Sequence, residues 1–155
     1  MSIPLLLVYG VLVKGALEDV RSLAISQDLL LGGWALLAAW EVAEGHALTV
    51  LLLLALTVWG MGYGHKMLVW LFLPVYPYWP VLLLAAGARE GRVGEGDVLA
   101  VSLVSLLSPW AGVSAFVGMM AWLAWQKKAG KLWVPAMPGI LVGLALWGLW
   151  SIAVS

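Results

Sequence analysis

Long apolar runs, broken only by short charged tracts, leave this chain few ways to fold. Leu29–Val42, Ala47–Met61, Met67–Ala88 and Pro138–Ser151 carry a single carboxylate among them, Glu41. Soluble domains average about 25% charged residues. Here 10% are charged and 64% hydrophobic, with a mean hydropathy of +1.03. Such a chain cannot cover its own surface with polar groups, which points to an all-α, polytopic transmembrane helix bundle forming one domain over residues 1–155. The formal net charge is zero and no basic tract occurs, so nucleic acid is not an expected partner. The expected partner is the lipid bilayer.

The charged tracts divide the chain into about six spans, near Ile3–Leu17, Leu29–Val42, Ala47–Met61, Val98–Leu107, Ala111–Trp125 and Pro138–Ser151. Several are shorter than the roughly 20 residues a perpendicular helix needs, so some should extend into their flanks. The first is read as a retained span, since it lacks a basic start and a small-residue cleavage site. Tryptophans near segment ends (Trp34, Trp40, Trp59, Trp79, Trp133, Trp150) fit interfacial belts. Arg21, Arg89, Arg92, Lys127, Lys128 and Lys131 fall in tracts that the positive-inside rule assigns to the cytoplasm, with the N-terminus outside.

One segment resists this scheme. Met67–Ala88 is apolar but holds Pro74, Pro77 and Pro80, and such a run cannot continue a helix. If it crossed fully, three crossings would separate Asp19 from Asp97 and leave them on opposite faces. It is therefore read as a re-entrant or interfacial hairpin with arms Met67–Leu73 and Val81–Ala88.

Asp19 and Asp97 stand at the margins of apolar segments, where an unused carboxylate is costly. Asp19 belongs to Glu18-Asp19-Val20-Arg21, Asp97 to Gly94-Glu95-Gly96-Asp97. Two carboxylates at one membrane depth can share a proton, one activating water while the other polarises a scissile carbonyl. Gly94 and Gly96 allow a tight turn and close approach to an extended substrate. Taken singly, Asp97 reads more readily as a helix cap than as a catalytic group, and Asp19 as an ordinary flank. Glu18 and Glu95 read as solvated flank residues, and Arg21 as a lipid and topology contact. Cysteine is absent, which removes disulfides, thiolate metal sites and thiol nucleophiles. His46 and His65 read as loop residues. No metal or other cofactor is expected.

A third tract, Val134-Pro135-Ala136-Met137-Pro138-Gly139-Ile140, precedes the last span. With it the sequence resembles the type IV prepilin peptidases, the GxGD intramembrane aspartyl proteases that include the archaeal preflagellin peptidases. The family pattern is an Asp-x-Arg tract leading to Pro-Asn, then Gly-x-Gly-Asp, then a proline-rich stretch before the last helix. Here the tracts are Asp19-Val20-Arg21 leading to Ile25-Ser26-Gln27, then Gly94–Asp97, then Pro135 and Pro138. Ser26-Gln27 stands in place of Pro-Asn, and Leu99 in place of a common Lys. The resemblance implies a catalytic pair Asp19 and Asp97, supported by Arg21, Gly94, Gly96, Pro135 and Pro138. It implies removal of a short basic leader from prepilin-like or preflagellin-like membrane proteins at the cytoplasmic face of a prokaryotic plasma membrane. Without a cysteine-rich segment, methyltransferase activity is not expected. Competing classes are a proton- or cation-coupled carrier using the same aspartates, and a non-catalytic membrane scaffold. Gly139-x-x-x-Gly143 serves either packing within the chain or a homo-oligomer contact.

Overall fold

The computed structural model describes residues 3–22, 26–65, 76–130 and 134–154. Within them the chain forms seven helices and no strand: α1 (Ile3–Ser22), α2 (Gln27–Ala43), α3 (Ala47–Gly60), α4 (Trp79–Arg89), α5 (Glu95–Leu107), α6 (Pro109–Lys128) and α7 (Met137–Val154). Their starts follow local chemistry. The Ser26 hydroxyl accepts the Leu29 N–H at 3.4 Å and the Ser108 hydroxyl the Trp110 N–H at 3.3 Å. Pro80 and Pro109 sit in the first turns of α4 and α6, where a missing N–H costs nothing. Gly45 ends α2 at φ +92°, and the bonds His46 N–H to Glu41 O and Gly45 N–H to Val42 O close the turn.

The helices run two to five residues past several of the expected span ends, because the charged tracts coil with them. Glu18–Arg21 completes α1, and Glu95–Asp97 is the first turn of α5. Met137–Val154 is the one helix among the described residues long and apolar enough to cross a membrane by length and composition. Ala47–Gly60 and Trp79–Arg89 are shorter apolar helices.

Helix α5 is the axis of the bundle. Every residue from Val98 to Leu106 is buried, Ser102 and Ser105 included, as expected of a helix packed on all sides. Helices α2 and α5 run parallel, tied by Trp34 Nε1–H to Ser102 Oγ at 3.0 Å. From the other side Thr57 Oγ1 of α3 donates to the same Ser102 Oγ at 2.8 Å. Trp34 (8% exposed) and Trp59 (4%) thus lie inside, correcting their reading as belt residues. Leu99 is buried in this core.

Helices α6 and α7 pack antiparallel at backbone contact. A Cβ on Gly139 would meet Trp122 Cβ at 2.7 Å and Met119 Cα at 2.8 Å, and one on Gly143 would strike the Ser114 carbonyl. The small-residue spacing in α7 is used within the chain. Outside, the bundle leaves large apolar side chains uncovered on several helices, among them Leu48 (82% exposed), Ile152 (74%) and Leu149.

Arg89 ties the two ends of the segment from Gly60 to Arg89 together. Its Nη1 donates to the Trp59 and Tyr63 carbonyls at 3.1 Å, its Nη2 donates to Gly64 O at 2.9 Å, and its guanidinium lies 5.2 Å from the Trp59 ring centre. The Trp59 carbonyl also takes the Gly62 N–H at 3.1 Å, so Arg89 is a second donor there and binds two carbonyls beyond the end of α3. These bonds bring the ends of α3 and α4 together, so the chain from Gly60 to Arg89 begins and finishes at one end of the bundle. Helix α4 starts deeper, where Trp79 meets Phe116 of α6 edge-on at 5.4 Å. The arm Val81–Ala88 falls within α4, and the arm Met67–Leu73 lies outside the described residues except by its neighbours.

Candidate active site

At the end where α1, α3, α4 and α6 finish and α2, α5 and α7 begin, a cavity of about 500 Å³ opens between the helices. Asp19, Gln27, Arg92 and Asp97 supply its polar lining, with the backbone of Gly94 and Gly96. Leu84, Met119, Met120 and Leu123 supply an apolar wall. Two carboxylates far apart in sequence therefore face one space, close enough for the charge of one to act on the other.

Asp19 is buried (6% exposed), one turn from the end of α1. Its Oδ2 accepts the Met137 backbone N–H at 3.0 Å. That amide is one of those a helix leaves unpaired at its start, and a carboxylate is a fitting acceptor at the positive end of α7. The Pro135–Pro138 tract thus reaches Asp19 through main chain. Pro135 is itself held by its carbonyl, which accepts Trp122 Nε1–H at 2.9 Å. Pro138, in the first turn of α7, offers no N–H of its own.

Asp97 lies in the first turn of α5, where Gly94 rather than Asp97 is the N-cap. Asp97 still serves the cap, its carboxylate accepting the Gly94 backbone N–H, while it is half-buried and turned to the cavity. Gly94 is extended (φ −73°, ψ 145°), and a Cβ there would stand 3.5 Å from Asp97 Oδ2. Any larger side chain at Gly94 would extend toward the carboxylate.

Of the residues singled out in the sequence, Asp19, Asp97, Gly94 and Gly96 line the cavity, and Pro135 and Pro138 flank the Met137 amide. Arg21 is exposed at the end of α1 and is not among the cavity-lining residues. Sequence reasoning missed Gln27 and Arg92 as lining residues; Glu95 is exposed as expected, and Glu18 and Glu95 each accept one bond at the surface. Glu18 Oε2 accepts the Ser26 N–H at 3.0 Å, and Glu95 Oε2 accepts Gln27 Nε2–H at 3.2 Å. The available signal for the two glutamates was their adjacency to the aspartates. Arg92 is paired through Nε to Glu90 at 3.0 Å on the open rim. No group of three or more potential metal-ligating side chains occurs among the described residues.

The opposite end of the bundle is different in charge. The site end carries Arg21, Arg89, Arg92, Lys127 and Lys128 together with the carboxylates of Glu18, Asp19, Asp28, Glu90, Glu95 and Asp97. The far end holds Glu41, Glu44 and His46, with His46 Nδ1 at 2.8 Å from Glu41 Oε2. No family model, curated protein or solved structure matches this chain.

Proposed function

We propose that this protein is a membrane-embedded aspartyl endopeptidase with Asp19 and Asp97 as its catalytic pair. The observation that carries this reading is convergence: three tracts remote in sequence, around Asp19, Asp97 and Pro135–Pro138, meet at one cavity. A bilayer setting is supported by the uncovered apolar side chains around the bundle, which water would not tolerate in such number. In this reading the bundle crosses the bilayer about six times, with 67–88 re-entering. The basic residues gathered at the site end favour a cytoplasmic position for the cavity.

The chemistry follows from two carboxylates sharing one proton. The ionised member takes a proton from a water held between the pair, and the water oxygen attacks the scissile carbonyl carbon. The protonated member gives its proton to the carbonyl oxygen, forming a neutral tetrahedral diol. Collapse of the diol breaks the C–N bond, and a proton passes to the departing amine. The Met137 N–H fixes the orientation of the Asp19 carboxylate throughout. The apolar wall of Leu84, Met119, Met120 and Leu123 suits an uncharged side chain beside the scissile bond. Substrates of this reading are prepilin-like membrane proteins with a short basic leader before an apolar helix, cut at the junction.

A carrier would use ionisable groups at the middle of the bundle. The buried polar side chains found there, Thr57, Ser102 and Ser105, are neutral and hydrogen-bonded, and Lys14, the charged residue inside α1, is exposed. The deciding test is cleavage of a prepilin-like substrate by detergent-purified wild type beside Asp97→Asn. Cleavage by wild type alone is the expected result, unaffected by chelators. Equal cleavage by both proteins assigns the activity to a contaminant and removes the dyad.

A further inference from the structure

We propose that Gln27 is a positioning residue that, with Glu18 and Glu95, sets the separation of the two aspartates; the catalytic part of this inference rests on the peptidase reading. Asp19 and Asp97 are carried by different helices, α1 and α5, and among the described residues no hydrogen bond joins their side chains. What does join their neighbourhoods is a short chain of hydrogen bonds through the start of α2. Glu18, next to Asp19, accepts the Ser26 backbone N–H at 3.0 Å. Gln27, the next residue, reaches from α2 to α5 and donates Nε2–H to Glu95 Oε2 at 3.2 Å. Glu95 lies two residues before Asp97 in the same helical turn.

The Ser26-Gln27 pair is a stiff link. Ser26 caps α2 by accepting the Leu29 N–H, and its carbonyl accepts the Leu30 N–H at 3.3 Å. Both outer bonds end on carboxylates, which makes them stronger than bonds between neutral groups. Gln27 also lines the cavity, so its amide stands beside the groups whose spacing it fixes. A catalytic pair tolerates little slack, since about 1 Å of misplacement can cost two orders of magnitude in rate. The two glutamates are therefore anchors of one crossbar, each within two residues of a catalytic carboxylate.

The chain has no cysteine, so introduced cysteines take spin labels without background. The test measures the distance distribution between labels at Val20→Cys on α1 and Leu107→Cys on α5 by pulsed electron resonance, and the cleavage kinetics of the variants without labels. Gln27→Ala is expected to broaden the distribution and lower kcat about tenfold with KM held within about twofold. Glu95→Gln keeps an acceptor oxygen and should restore both to near wild type. Gln27→Ala with Glu95→Ala should lose no more than either alone, the mark of one shared interaction. An unchanged distribution in Gln27→Ala, or additive losses in the double variant, overturns the crossbar. A broadened distribution in a protein whose wild type cleaves nothing upholds the crossbar and removes the peptidase reading instead.

Discussion

Helix α5 carries two polar places that differ in every respect except their shared backbone. Ser102, in its middle, is fully buried and answered on both sides, by Trp34 Nε1–H and Thr57 Oγ1–H. Asp97, in its first turn, faces an open cavity and a second carboxylate. Among the described residues no buried side-chain nitrogen or oxygen lacks a partner. Polarity that is sealed and satisfied locks three helices in register. Asp19 takes the Met137 N–H and Asp97 the Gly94 N–H, yet both carboxylates still face the cavity, and that openness is what the peptidase proposal uses.

That contrast can be broken or sharpened by substitution. The largest effect is expected at the cavity. Asp19→Asn and Asp97→Asn should each lower kcat by at least about three orders of magnitude, and the double variant little further, because the pair acts as a unit. Thermal unfolding in detergent should be nearly unchanged in all three; a large loss of stability would mean the carboxylates hold the fold. Next comes the α6–α7 contact. Gly143→Val places a side chain against the Ser114 carbonyl and must part the two helices, costing roughly 3 kcal/mol of stability. An unaltered melting midpoint would contradict the close packing.

At the sealed node, Ser102→Val strands the Trp34 N–H, while the Thr57 hydroxyl keeps its bond to the Leu53 carbonyl at 2.7 Å. A loss of about 2 kcal/mol is expected in unfolding measurements, with kcat per folded molecule preserved. A fall in kcat without a fall in stability would erase the distinction between the two places on α5. The smallest effect belongs to Arg21→Ala. Its side chain is exposed and away from the cavity, so stability should move by no more than about 0.5 kcal/mol and kcat by less than about threefold. A larger kinetic loss would bring Arg21 into contact with substrate.

The helical class was legible because apolar runs of ten or more residues admit little else, and the three site tracts were legible as charges and prolines at the edges of those runs. Helix ends were less so. Glu18–Arg21 reads as a flank by composition, yet nothing in it breaks a helix, and α1 continues through it. Trp34 and Trp59 were misplaced because tryptophan near a segment end is ambiguous until its N–H finds an acceptor. The Arg89 clasp and the Gln27–Glu95 bond join residues distant in sequence, and no spacing rule announces such pairs. Asp19 could be singled out from its neighbours; its partner could not, because the donor is main chain.

That donor has a consequence for how the site would look to genetics. Met137 is buried, so replacing its side chain reports on packing, while the N–H that reaches Asp19 survives every replacement except Met137→Pro. A mutational scan would record position 137 as an ordinary core residue tolerant of other large apolar side chains. Only exchanging the amide for an ester at that one linkage would expose what the position contributes.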